Sequence, residues 1–285
     1  MINFGTSGYS DDYIELYGTS LETIPEWLVQ HKLTAYEIGF NHGANLSDEN
    51  CIKYGKKFAE YGITLSVHAP YYINFANPDE RMIQKSIGYI LTCLKKMKLL
   101  GAKYLVFHPG ALMGQTREQA QKQILSNLKL LIKAIDAENL NFEYYLCPET
   151  MGKHGQCGTV AEVAEMCGLD ARIIPTLDFG HINAFGLGNL KTEMDYKLVF
   201  ETLKTFIGQR FEHVHVHFSK VQYGAKGELH HLNFDDDPQQ FGPDFAPLAK
   251  VLNKLEIKGN IVSESSGHQT IDAVAMQTMY NLAKN

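Results

Sequence analysis

The stretch IIPTLDFGH, Ile173–His181, decides how this chain is read. It starts as a buried strand would, with apolar residues around Pro175, and ends with Asp178 and His181 three positions apart. One such pair has an ordinary explanation, because aspartate is a common cap for the helix that follows a strand. Here the arrangement returns at strand after strand, and the repetition carries the reading.

Seven further short apolar runs share the form: INFGTSG, AYEIGF, ITLSVH, YLVFHPG, YYLCPE, HVHVHF and NIVSES. Between them lie amphipathic stretches such as Asp79–Gly101 and Arg117–Ile135, whose apolar residues recur every three or four positions. The first of these ends in Gly101, a helix stop signal. Eight strands alternating with about eight helices imply a parallel sheet. Eight units in one chain of 285 residues predict a single α/β domain, a (β/α)₈ TIM barrel spanning 1–285. An open doubly wound sheet is the alternative, but the G-x-G-x-x-G fingerprint is missing after the first strand.

In such a barrel the chemistry lies at the C-terminal strand ends. Strand three ends with His68, strand four with His108, strand five with Glu149, strand six with Asp178 and His181, and strand eight with Glu264. Strand seven carries His213, His215 and His217, which a period of two places on one face. His213 is expected deepest, and either His215 or His217 at the rim. Beyond strand seven, KGELHHLNF sets Glu228 and His230 in alternation, so an extended segment would project both to one side. His154, His231 and His268 read as loop residues. Imidazoles and carboxylates converging on one rim are the donor set of Zn²⁺, and of Mn²⁺ or Fe²⁺. A charged group at the end of a buried strand needs a partner, and so many together predict a metal centre.

Composition narrows the classes. Hydrophobic residues make up 45% and charged residues 20%, as expected of a globular protein with a sizeable core. No apolar run approaches the roughly 20 residues of a membrane span, and MINFGTSGYSDDY does not resemble a signal peptide. Five scattered cysteines without C-x-x-C predict reduced thiols and a cytoplasmic location. The formal charge of −6 argues against a surface built mainly to hold polyanions. Three bound divalent cations would cancel it.

These residues in this order resemble the endonuclease IV family of apurinic/apyrimidinic endonucleases, within the xylose-isomerase-like TIM barrels. The match runs from SVHAPYYIN to IVSES. His68 and Tyr71 fall on the family's H-x-x-Y, His108 on its F-H-P-G, and Glu149 on the glutamate of E-[NT]-x-x-G, here ETMG. Asp178 and His181 match D-x-x-H, His215 the histidine of H-x-x-x-S-K, and Glu264 the closing glutamate. The family's D-x-H becomes Glu228-x-His230. The resemblance implies two or three zinc ions, with His68, His108, Glu149, Asp178, His181, His215, Glu228, His230 and Glu264 as ligands and Glu149 bridging. It implies a hydrolase of the DNA repair class acting on damaged DNA, with Tyr71 against the substrate. Glu149 and Glu264 are the expected catalytic carboxylates.

The chain also departs from the family. Glu228 and Leu229 replace Asp and Arg of D-R-H, FDDDPQQFG replaces a tight glycine loop, and His217 and Phe218 replace Asn and Asp of H-L-N-D-S-K. The loop GFNHGANLSDEN lacks the polar-aromatic segment with which family members enter DNA. A second expectation is therefore a sugar isomerase or epimerase with one Mn²⁺, Mg²⁺ or Co²⁺ held by Glu149, Asp178, His215 and Glu264. Paired carboxylates would move a proton beside a carbonyl. A third is a hydrolase of a small phosphoester, or a metal-binding barrel without catalysis.

Overall fold

A computed structural model describes residues 2–236 and 239–284. The eight expected strands are present: β1 (Ile2–Ser7), β2 (Ala35–Gly39), β3 (Thr64–His68), β4 (Tyr104–Phe107), β5 (Tyr145–Pro148), β6 (Thr176–Asp178), β7 (His213–Phe218) and β8 (Lys258–Ser263). They form one parallel sheet in which β1 pairs with both β2 and β8, and β7 with both β8 and β6. Parallel bridges Leu146↔Ile173 and Glu149↔Thr176 join β5 to β6 and complete the ring.

Ten α-helices surround it among the described residues, two more than the eight that simple alternation requires. The additions are the short α1 (Asp11–Tyr17) before α2 (Ile24–Gln30), and α7 (Phe179–Phe185), which starts directly on β6. The others are α3 (Asp48–Glu60), α4 (Glu80–Leu100), α5 (Arg117–Ala137), α6 (Val160–Cys167), α8 (Glu193–Ile207), α9 (Phe245–Lys254) and α10 (Gln269–Leu282). Helix α4 buries Ile83, Ile87, Ile90, Leu94 and Met97 along one face, and Gly101 ends it in the left-handed conformation. Thr116 and Gln119 form a reciprocal capping box that starts α5. A further interruption follows β7: an antiparallel hairpin of Lys220–Gly224 and Gly227–Leu232.

The core has two unequal parts. The larger lies between sheet and helices and takes Val214, Val216 and Phe218 from the outer face of β7. The smaller fills the barrel's lower interior with Tyr104, Val106, Cys147 and Ile174. The alternating histidines of β7 thus face the lumen, as their period requires. All five cysteines are free and buried. No helix among the described residues is long and apolar enough to cross a membrane.

Gly5 shows how tightly the strands approach: a β-carbon there would stand 1.7 Å from the Ala35 carbonyl oxygen. Gly88, on the exposed side of α4, has open space around it. Gly5→Ala should destabilise the fold by at least about 1–3 kcal/mol through overpacking, whereas Gly88→Ala should stabilise it by about 0.4–1 kcal/mol. Denaturant titration of both variants checks the opposite signs.

Candidate metal centre

Glu149 follows β5 and is buried, with Oε2 3.3 Å from His68 Nε2 and 3.2 Å from His108 Nε2. Its other oxygen, Oε1, lies 3.2 Å from His217 Nδ1 and 3.5 Å from His181 Nδ1. One carboxylate therefore faces two sets of imidazoles. His68 Nδ1 donates to the Ala69 carbonyl at 2.9 Å, which leaves Nε2 directed at Glu149.

Asp178 ends β6 and serves two purposes. Its Oδ1 accepts from the His181 backbone N–H at 2.7 Å and caps α7. Its Oδ2 is buried and makes no hydrogen bond among the described residues, although His181 Nδ1 lies 3.3 Å away. A desolvated carboxylate oxygen left in this state is costly, and a cation would satisfy it. Glu149, Asp178, His217 and Glu264 offer ligand atoms within 4.8 Å of one another, as do His68, His108 and Glu149. The donor chemistry and the orphaned oxygen both fit divalent metal.

The structure places His215 below the position the resemblance implies, in a separate group with Glu37 and His217. Its ring lies deeper in the lumen, with Nε2 2.9 Å from Glu37 Oε2, and His217 occupies the rim beside Glu149 and Glu264. Residues two apart on a strand differ in depth by about 6–7 Å, so one of the pair reaches the ligand group. His213 is lowest and meets the Tyr104 hydroxyl at 3.1 Å.

His230 is displaced too. The hairpin pairs Gln222 with His230 and Tyr223 with Glu228, and the register shift between them leaves Leu229 as an extra residue. Such a bulge breaks the alternation of a strand. Leu229 and His230 are exposed, while Glu228 and His231 turn inward. Glu228 Oε2 lies 3.4 Å from His181 Nε2, and the His231 ring is 5.3 Å from that of His181. His231, read from the sequence as a loop residue, joins Asp178 and His181 in a further ligand group, with Nδ1 held 2.7 Å from Ser219 Oγ. His154 instead contacts the Phe185 carbonyl at 2.9 Å. In the departing segment FDDDPQQFG, Asp237 and Pro238 lie outside the described residues.

Sequence reasoning missed Glu37. It sits mid-strand in β2, fully buried, bonded to His215 and to Ser66 Oγ at 2.8 Å, with Oε1 3.0 Å from His217 Nε2. The signal was an acid inside the apolar run AYEIGF, where only a buried partner could keep it.

The electrostatics follow from this packing. Burial opposes the charge on Glu149, but His108, His181 and His217 hold its carboxyl well below the usual range. Burial also opposes ionised Glu264, yet His217 brings it down to about 2. Asp178 is pushed up to about 6 by burial, against the pull of His181. Burial disfavours protonated His217 and His181, but the carboxylates around them raise both well above the ordinary value. Tyr71 is half exposed over the centre, its ring 5.2 Å from that of His68 and 5.3 Å from that of His108. The open cavity above has a volume of about 390 Å³ and also takes Lys153, Asn41 and Gln269 into its wall.

The family model described as xylose isomerase-like TIM barrel matches residues 25–282. This chain belongs to that family. An uncharacterized protein of Methanocaldococcus jannaschii is 30% identical over 99% of this chain and 97% of its own length. A probable endonuclease 4 of Mycoplasmoides gallisepticum is 31% identical over 60% of this chain, and the match spans 55% of that relative. Among solved structures, a D-tagatose 3-epimerase-like protein superposes with a TM-score of 0.73 over 99% of this chain and 98% of its own. At 20% identity that likeness concerns the fold alone. The endonuclease IV resemblance of the motifs thus has a counterpart among this family member's relatives.

Two predictions follow from the geometry. After loading with Zn²⁺, His231→Ala should retain less metal than wild type, and His230→Ala should leave it unchanged; elemental analysis after dialysis distinguishes them. Because His181 and His217 hold their protons above the ordinary range, and Asp178 holds its own up to about 6, metal must displace protons. Apparent zinc affinity should therefore rise from pH 6 to pH 8 with net proton release, measured by calorimetry in buffers of different ionisation enthalpy.

Proposed function

We propose that this protein is a divalent-metal phosphodiesterase whose substrate is the DNA backbone at an apurinic/apyrimidinic site. The observation that carries the proposal is the placement of Glu149, whose two oxygens face two separate ligand groups. A carboxylate so placed is suited to bridge a pair of ions. His68, His108 and Glu149 would hold one ion; Glu149, Asp178, His217 and Glu264 a second; His181, Glu228 and His231 a third. Bound metal would supply hydroxide from water near neutral pH and neutralise charge on the leaving oxygen.

The chain's own residues do the rest. Glu149, Asp178, Glu228 and Glu264 set four negative charges against the six positive of three zinc ions. The centre keeps a net +2, which suits an anionic diester better than a neutral sugar. Tyr71 presents half of its ring to the cavity and packs against a sugar or base. Lys153, with Nζ 3.9 Å from Glu228 Oε1 at the cavity wall, adds a cation for a phosphate oxygen. The relative named probable endonuclease 4 supports the same reading.

A sugar isomerase or epimerase is the second reading. It is favoured by Glu149, Asp178, His217 and Glu264 forming a complete four-residue group by themselves, and by the fold shared with the D-tagatose 3-epimerase-like protein. It leaves His68, His108, Glu228 and His231 without a task, so the phosphodiesterase is preferred.

The purified protein should carry two to three zinc ions and incise a duplex containing one abasic site. Glu149→Gln should lower the incision rate by at least about 10²-fold, since metal-borne stabilisation of several kcal/mol is at stake. A single Mn²⁺, Mg²⁺ or Co²⁺ per chain, with epimerisation of a ketose and no incision, would decide for the second reading.

A further inference from the structure

Glu37 stands outside the ligand sets assigned above, yet four polar side chains surround its buried carboxylate. Its Oε2 accepts from Ser66 Oγ at 2.8 Å and from His215 Nε2 at 2.9 Å. Its Oε1 accepts from Ser7 Oγ at 3.4 Å and lies 3.0 Å from His217 Nε2. Glu37, Ser66, His215 and His217 are all buried. Four strands thus supply the carboxylate and its neighbours: β1, β2, β3 and β7.

His217 spans the boundary between this cluster and the rim. Its Nδ1 is hydrogen-bonded to Glu149 Oε1 at 3.2 Å and lies 3.3 Å from Glu264 Oε1. Its Nε2 is 3.0 Å from Glu37 Oε1, a charge contact outside hydrogen-bond geometry. A neutral imidazole has one proton and one lone pair, and the nitrogen beside an acceptor that cannot itself be displaced keeps the proton. On the Nδ1 side, Glu149 and Glu264 can exchange the imidazole contact for a cation. On the Nε2 side, Glu37 is fixed through Oε2 by Ser66 and His215 and through Oε1 by Ser7, so its carboxylate stays in place beside the ring.

We propose that Glu37 is a positioning residue of the metal centre: it keeps the proton of His217 on Nε2 and so presents the Nδ1 lone pair to the ion held with Glu149, Asp178 and Glu264. His215, withdrawn from the rim, acts one step further back by holding Glu37 in place. Carboxylate partners of ligating histidines contribute about 10–100-fold to metal affinity through ring orientation and basicity. The inference rests on the metal centre, not on the phosphodiester substrate.

The test compares wild type, Glu37→Gln and Ser66→Ala. Glu37→Gln keeps the volume and removes the charge; Ser66→Ala removes one bond to Glu37 and leaves both imidazoles. Zinc affinity is read by competition with a chromophoric chelator, the centre's geometry by the visible spectrum of bound Co²⁺, and folding by thermal melting of the metal-free proteins. The expected result is a 10–100-fold loss of zinc affinity in Glu37→Gln, a smaller loss in Ser66→Ala, and an altered Co²⁺ spectrum in both. Unchanged affinity and spectrum in variants whose melting temperature alone has moved would overturn the proposal and leave Glu37 a structural acid. If Glu37→Gln does not fold, Ser66→Ala decides: unchanged affinity overturns the proposal, and a loss supports it. Absence of zinc binding by wild type itself would remove the metal centre, a different failure visible in the same titration.

Discussion

The carboxylate of Glu149 is the constraint on which the upper half of this barrel depends. It is buried, and a buried charge persists only where partners replace water. Those partners come from elsewhere in the chain: His68 from β3, His108 after β4, His181 from α7 and His217 from β7. Each is within reach only if its strand stops at the right height. The register of the sheet and the chemistry of its mouth are therefore a single problem, solved together by one acid.

Beneath that layer the lumen is unusual in its polarity. Glu37, Ser66, His215 and Asn260 are buried where many barrels stack branched aliphatic side chains. An apolar cluster of Tyr104, Val106, Cys147 and Ile174 lies low in the barrel. Most hydrophobic stabilisation consequently lies outside the sheet, where helices such as α4 and α5 cover it. This division leaves the interior free to hold a ladder of imidazoles and carboxylates in contact with one another. Glycine makes the arrangement possible at its narrowest point, since any side chain at Gly5 would collide with the Ala35 carbonyl.

The hairpin after β7 adds a wall that the barrel alone would not provide. Its bulge turns Glu228 and His231 to the same side although two residues separate them. It is anchored across the mouth by the Glu228 backbone N–H, which donates to the Gly152 carbonyl at 3.0 Å, and by the bridge from Gly227 to Lys153. Gly152, next to the ETM segment, must be glycine here, because a β-carbon would meet that of Glu228 at 2.7 Å. The loop that follows Glu149 and the hairpin that closes on His181 thus form one unit.

The sequence by itself determined the eight strands, because alternating apolar runs and amphipathic stretches leave few other packings, and it placed His68, His108, Glu149, Asp178, His181 and Glu264 at one rim. Strand ends converge in a barrel whatever the loops do, so these residues needed no long-range information. Three placements were decided only by tertiary structure. His217 replaced His215 because the depth of β7 is set by its pairing with β8 and β6, and the motif count does not record it. His231 replaced His230 because a single bulge reverses the alternation on which the spacing argument relied. Glu37 emerged as the support of His217 because an isolated acid in an apolar run shows that a partner exists without naming it. Local periodicity fixes which face a side chain takes; register and bulges, which arise between strands, fix what it meets there.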